Sequence, residues 1–179
     1  PPRSTLFPYT TLFRSHVSRE KILAEMVINW DQTPLQYIPA EKWTMEAEGT
    51  SNVSIAGGAD KKALSAIFTV TLSGEFLPMH LVYLGKTSQS LPTHIFPTGF
   101  SLTKNPSHWS DEETMMLYIN DVLEPNMTAK RDELNQPTTP AILIYDAFRA
   151  HTTDGIQQRL QKLNVLVIFP KNRTDHLQP

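Results

Sequence analysis

Two aspartates in this chain follow short apolar runs, and acids placed that way are candidates for chemistry. Asp146 follows Ala141, Ile142, Leu143, Ile144 and Tyr145; Asp31 follows Met26, Val27 and Ile28 after Asn29 and Trp30. An apolar run without alternation suits a strand covered on both faces, as in a parallel sheet between helices. Ligands and catalytic groups of open α/β sheets gather outside the carboxyl ends of the strands. An aspartate there can equally do no more than cap the following turn, and Asp31, close to Pro34, can be a plain turn residue. The functional reading needs the two strands to be neighbours, with backbones roughly 4.8 Å apart. Two carboxylates that close repel each other unless a cation compensates. Oxygen ligands in a chain without cysteine favour Mg²⁺ or Mn²⁺ over zinc. Two such ions, roughly 4 Å apart, activate an attacking oxygen and stabilise a leaving one in phosphodiester displacement. A centre of that kind normally requires a third carboxylate.

Several elements would position these acids. Pro34 fixes its own φ and pushes Thr33 out of the helical region, so the first strand is expected to break just after Asp31. Residues 53–56 suit a short strand closed by a Gly57-Gly58-Ala59-Asp60 turn. Residues 62–72 and 76–84 read as a hairpin around Ser73-Gly74-Glu75, with Pro78 placing the second strand late or at an edge. Gly85-Lys86-Thr87 invites a phosphate-loop reading, which fails because His80 stands where that motif needs glycine and a Ser/Pro-rich loop, 88–105, follows. Lys86 then reads as a surface lysine at a strand end, with phosphate contact as the alternative. Ser110, with Glu113 three residues on, predicts a capped helix start. Met115, Met116, Tyr118, Ile119 and Val122 supply its apolar face, with the methionines as core filler, and Pro125 is expected to stop it. Residues 127–134 suit one or two further turns. Thr153 or Asp154 caps a helix through Ile156, Leu160 and Leu163; Asn164 is its left-handed stop, and residues 165–169 form a strand. Together with the Asp146 strand they make a parallel βαβ unit.

The 179 residues are enough for one domain with a sizeable core, and 40% of them are hydrophobic. No apolar run approaches the roughly 20 residues of a membrane-spanning helix, so no membrane partner is expected. The absence of cysteine fits a reducing compartment, and the N-x-S/T matches at Asn52, Asn126 and Asn172 read as chance. A formal charge of −2 is not that of a self-sufficient nucleic-acid-binding module. The opening PPRSTLFPYTTLFRS has neither period and repeats its own TLF and RS. It resembles the in-frame translation of a short-read sequencing adapter, so residues 1–15 read as an artefact outside the fold. Without Arg3 and Arg14 the basic count falls from 16 to 14 against 18 acids, a net charge of −4.

In order and spacing, NWDQT at 29–33, LSGEFLP at 72–78, GKT at 85–87, HWSDEETM at 108–115, LIYDAFRAHTT at 143–153 and TDHLQP at 174–179 resemble the acidic-triad endonuclease core of pogo/Tigger/jerky-type DDE (DDD) transposases. The similarity covers nearly all of residues 16–179, which it marks as a partial catalytic core. It implies an α/β, ribonuclease-H-like mixed sheet, hairpin strands followed by parallel βαβ, flanked by helices and lacking the C-terminal helix. It implies Asp31 and Asp146 as the first two triad acids, catalytic and metal-holding, with two Mg²⁺ or Mn²⁺ ions in the complete enzyme. It further implies DNA, both transposon ends and target, as partner of the full-length protein, a homodimer in the complete transposase, and a nuclear location. The basic DNA-gripping modules of such proteins lie outside this stretch, which accounts for its mild acidity.

The family's third acid follows in a Gln-Pro-x-Asp pattern, and the sequence given stops at Pro179. Asp175 precedes that pair and carries no role. His151 matches a position where the wider mariner-like group often has histidine, so it is either a contact near the metal or DNA or a surface loop residue. Lys61, with Asp60 and Lys62, matches a shared turn, structural or touching the DNA backbone. The resemblance thus implies a transposase fragment, inactive as it stands, from a protein that cleaves and transfers DNA strands. A transposase-derived DNA-binding or chromatin-associated protein without catalysis is the alternative, favoured by a non-acidic residue two positions after Pro179. A ribonuclease-H-like nuclease unconnected with transposition is a third reading. Lacking the expected C-terminal helix, the sheet around residues 165–169 is expected to be under-covered on one face. Genomic DNA of the source is expected to diverge from codons 1–15 upstream of His16; an uninterrupted genomic reading frame through them would make them native.

Overall fold

The longest strand, β1 (Val27–Gln36), runs up the middle of a mixed sheet and carries Asp31. The computed structural model describes residues 22–36, 48–49, 63–107, 109–146 and 152–169. β2 (Ala63–Thr71) and β3 (Met79–Leu84) form the hairpin that residues 62–84 predicted, and β3 starts directly after Pro78. Gly74, at φ 90°, makes their turn. β4 is Phe100–Asn105, β5 is Ala141–Ile144 and β6 is Val165–Ile168. The six strands lie in the order β4-β3-β2-β1-β5-β6. β1 pairs antiparallel with β2 and parallel with β5, and β5 pairs parallel with β6. The predicted strand at 53–56 and residues 1–15 lie outside the described residues.

Two expectations about strands need correction. Pro34 does not break β1: it sits inside the strand, opposite Ser65 of β2. The ladder to β5 covers only Val27 to Asn29, so among the described residues no strand pairs with the upper half of β1 on that side. A residue without an N–H is tolerated there. Asp31 therefore lies in the interior of β1 and not at its carboxyl end, although it does lie beyond the end of the β5 ladder. Residues 100–105, read as loop, are β4, parallel to β3 from Met79↔Phe100 to Leu84↔Asn105. Their composition is weakly strand-forming, and the free edge of β3 supplies the pairing that propensity does not.

The helical layer also departs from expectation at both ends. α1 (Glu112–Tyr118) is capped by Asp111 and not by Ser110. Asp111 Oδ1 accepts from Thr114 N at 2.9 Å, and Asp111 N donates to Thr114 Oγ1 at 2.8 Å. Threonine thus plays the reciprocal part assigned to Glu113, while Asn105 Nδ2, from the end of β4, holds the other oxygen of Asp111. Nor does Pro125 stop the helix. A π-helical turn, Ile119–Leu123, runs into α2 (Glu124–Glu133), with Pro125 in its first turn. A proline is tolerated in the first turn of a helix, and Asn126 Nδ2 adds a side-chain bond to Val122 O at 2.6 Å across the junction. α3 (Asp154–Lys162) follows Thr153, whose Oγ1 accepts from Ile156 N, and Asn164 at φ 57° ends the turn after it. These features of the βαβ unit are as predicted.

The helices cover the sheet face that presents Trp30, Thr69, His80 and Tyr145. Tyr118 reaches Thr69 Oγ1 at 2.7 Å, and Gln157 Nε2 donates to the Tyr145 hydroxyl at 3.3 Å. Met115, Tyr118, Ile119, Val122, Ile156 and Leu160 are fully buried in this main core, with Met116 packed at its edge, so the methionines are filler as expected. A second cluster, Leu64, Ala66, Leu81 and Tyr83, sits on the other face of β2 and β3. Buried Arg131 donates from Nε to Thr139 O at 3.0 Å and from Nη2 to Leu163 O at 2.8 Å, tying the end of α2 to the turn before β6. Of the β6 residues expected to be bare, Leu166 is 38% exposed while Val165 and Ile168 are buried.

His80 is wholly inside, with Nδ1 against Ser101 Oγ at 3.0 Å and its ring edge-on to Tyr118. Burial pushes its imidazole down from 6.5 to about 4. Between those values the unfolded chain binds a proton that the folded chain refuses, so stability is full above pH 6.5 and falls on acidification. The slope is about 1.4 kcal/mol per pH unit and the total roughly 3 kcal/mol. His80→Gln is expected to flatten that dependence between pH 6.5 and 5, measured by urea unfolding. Asp111→Ala is expected to cost about 1 kcal/mol in the same measurement, whereas Glu113→Ala should cost little.

Candidate active site

The site is built by register. Val27, Ile28 and Asn29 of β1 lie beside Ile142, Leu143 and Ile144 of β5. Carried forward two residues, the same parallel register sets Asp31 level with Asp146. The rings confirm that it carries at least one residue past the ladder: Trp30 and Tyr145 stack with centroids 5.1 Å apart and planes 25° from parallel. Both rings point into the helical layer. Alternation along each strand then sends Asn29, Asp31 and Asp146 to the opposite face. Both acids are half-buried, and Asp31 Oδ1 accepts from Gln32 N at 2.9 Å.

Aromatic packing under the acids holds this register. Trp30 also meets Tyr118, centroids 5.7 Å apart, and Phe169 meets Tyr145 edge-on at 5.1 Å. Burial pushes the Tyr145 phenol up to about 12, against the Gln157 hydrogen bond and with help from the charge of Asp146. Burial likewise raises Tyr118, partly offset by its bond to Thr69. Both phenols are therefore neutral at ordinary pH, and the layer beneath the acids carries no opposing charge from them.

On the acid side, Asp31, Thr33, Phe68 and Phe76 line an open cleft of about 380 Å³. Phe68 stands directly opposite Asp31 on β2, and Phe76 bridges to Val70 just past the hairpin turn. Asn29 shares the face, with a buried Oδ1 that has no hydrogen-bond partner among the described residues. Two carboxylates level on adjacent strands, with an uncommitted amide oxygen one step inward, form an all-oxygen donor set that fits a hard divalent cation. The set is incomplete: among the described residues no group of three or more His, Cys, Asp or Glu converges.

Other expected contacts are not brought here. Lys86 is exposed beyond the end of β3. It is seven residues along from Met79, which the register sets level with Asp31, hence roughly 20 Å away. Gly85 is a glycine because a Cβ there would collide with Ser90, not because it cradles phosphate. Lys61 and His151 lie outside the described residues. Phe68, Phe76, Thr33 and Asn29 were missed. The hairpin register opposite Asp31 could have found Phe68, and the LSGEFLP string contained Phe76.

A hairpin sheet continued by parallel βαβ strands, with two acids level at its centre, defines the ribonuclease-H-like class of catalytic core. The description "DDE superfamily endonuclease" matches residues 61–179, and the chain belongs to that family. Its curated relatives include the "Pogo transposable element with KRAB domain" proteins of Homo sapiens and Mus musculus, 26% and 25% identical over 152 residues. The alignment takes in 84% of this chain and 24% of each relative, so the chain spans about a quarter of their length. This supports the pogo-type resemblance read from the motifs. Among solved structures, a pre-cleavage Mos1 transpososome matches with TM-score 0.60 and 16% identity over 94% of this chain and 43% of that one. The Mos1 mariner paired-end complex with Mn matches at 0.59 and 15%, over 94% and 42%. The Mos1 transposase catalytic domain with Raltegravir and Mg matches at 0.57 and 14%, over 94% and 61%. At these identities the likeness is one of fold.

Proposed function

We propose that this chain is part of a DNA transposase catalytic domain, one that cleaves and transfers DNA strands with divalent metal. The observation that supports it is the β1–β5 register, which, carried two residues past Asn29 and Ile144, would bring Asp31 level with Asp146. Asp31 and Asp146 would hold Mg²⁺ or Mn²⁺, as the Mos1 structures with Mn and with Mg suggest. Two ions are expected in the complete enzyme. Bound there, the metal would supply charge to activate an attacking oxygen and to stabilise the leaving one.

The chain's own residues do the positioning. The Trp30–Tyr145 stack keeps the two carboxylates at one level, and Gln32 N orients Asp31 from below. The cleft beside Asp31 admits the strand whose phosphate the acids address. With two acids in place, the 179 residues as given are expected to bind the ion without cutting DNA. The partner is DNA, transposon ends and target, and the complete protein would act in the nucleus as a homodimer; the paired-end assembly of Mos1 supports the last point. Residues 16–179 would form the domain, with 1–15 outside it.

Mn²⁺ binding by the 179-residue chain, followed by loss of the free-ion paramagnetic resonance signal, tests this centre. Asp31→Asn or Asp146→Asn is expected to weaken it at least about tenfold, and the pair together to abolish it. Binding undiminished in the double variant would remove the site, and deletion of residues 1–15 should leave it unchanged.

A further inference from the structure

We infer that Phe68 and Phe76 form a ledge beside Asp31 that takes one unpaired nucleobase of the DNA strand being processed, an inference that rests on the function proposed above. Phe68 is the fixed wall. It stands across the β1–β2 ladder from Asp31, half-buried, and packs against the Leu64, Ala66, Leu81 and Tyr83 cluster. Phe76 is the open wall, 71% exposed on the same face. Its backbone is nonetheless held: it bridges to Val70, and its neighbour Leu77 donates to Thr69 O at 3.1 Å. Thr33 and Asp31 complete the cleft.

The chemistry of the cleft selects its occupant. Two phenylalanines offer nothing to a phosphate, and the neighbouring acids repel one that is not shared with a cation. The apolar part of DNA is the face of its bases, which duplex stacking hides. A base reaches the ledge only when it leaves the stack. Turning a phosphodiester toward Asp31 and Asp146 swings the attached nucleoside out of line, and stacking on an aromatic side chain offsets much of the cost of unstacking. Such a ledge tolerates any base, because every base has a π face. Phe76 is thus a positioning residue for the strand, not a ligand of the metal.

The test compares binding of the 179-residue chain, with Mn²⁺ present, to a duplex with one unpaired base and to its fully paired counterpart, by fluorescence anisotropy. The wild-type chain should prefer the unpaired form, and Phe76→Ala should lose that preference by about 5- to 150-fold while binding the paired duplex and Mn²⁺ as before. Phe76→Trp should restore it. Leu72→Ala, at an exposed turn position outside the cleft, should leave it intact. With 5-iodouracil as the unpaired base, photo-crosslinking should map to Phe76. An unchanged preference in Phe76→Ala, a crosslink outside the cleft, or a Phe76→Ala effect confined to self-association by sedimentation would overturn the ledge. Loss of Mn²⁺ dependence on Asp31 and Asp146, with the ledge intact, would instead strike the metal centre.

Discussion

The structure depends on one interaction, the stack of Trp30 on Tyr145. It joins the central strand β1 to the last residue before Asp146, and Tyr118 meets the same indole from the helical layer. All three rings are essentially fully buried, and removing each from water contributes roughly 3 kcal/mol, with up to about 1 kcal/mol more for each well-placed ring pair. A one-residue slip between β1 and β5 would turn an aromatic ring to the acid face and an acid into the core. The burial that stabilises the fold and the alignment of the two carboxylates are therefore one constraint.

That constraint explains why a carboxylate pair can persist at the middle of a sheet. Like charges side by side oppose folding, and the strands do not separate to relieve them because their other faces are locked under the helices. The hairpin side is similarly tied: Lys130 of α2 meets Glu75 of the β2–β3 turn at 3.0 Å. Arg159 of α3 holds Asn120 in the π-helical turn and pairs with Glu124. Such partly exposed pairs add little energy singly, but they tie the helices to one another and to the hairpin turn. The π-helical turn is the accommodation that lets one continuous helix carry both Met115 and Met127 into the core past Pro125.

Belonging to the DDE superfamily endonucleases gives the paired acids a context, and the comparison with Mos1 structures supports the same fold at low identity. The feature that family strings do not announce is the apolar side of the cleft. Phe68 and Phe76 lie far from Asp31 in the chain, and the hairpin brings them to its flank.

Much of this protein was legible in the order of its residues. Unbroken apolar runs marked β5 and β6, Ser73-Gly74 marked the hairpin turn, and Thr153 and Asn164 marked the ends of α3, because those signals act within a few residues. The motif strings carried the fold class. Tertiary structure decided the rest. Whether Pro34 ends a strand depends on the β5 ladder, which among the described residues reaches no further than Asn29. Whether 100–105 is a strand depends on the open edge of β3. Asp111 outcompetes Ser110 as cap because Asn105 reaches it from β4 while Ser110 is drawn inside. The alignment of Asp31 with Asp146 belongs to both levels: the sequence supplied two acids after two apolar runs, and the buried aromatic stack set them side by side.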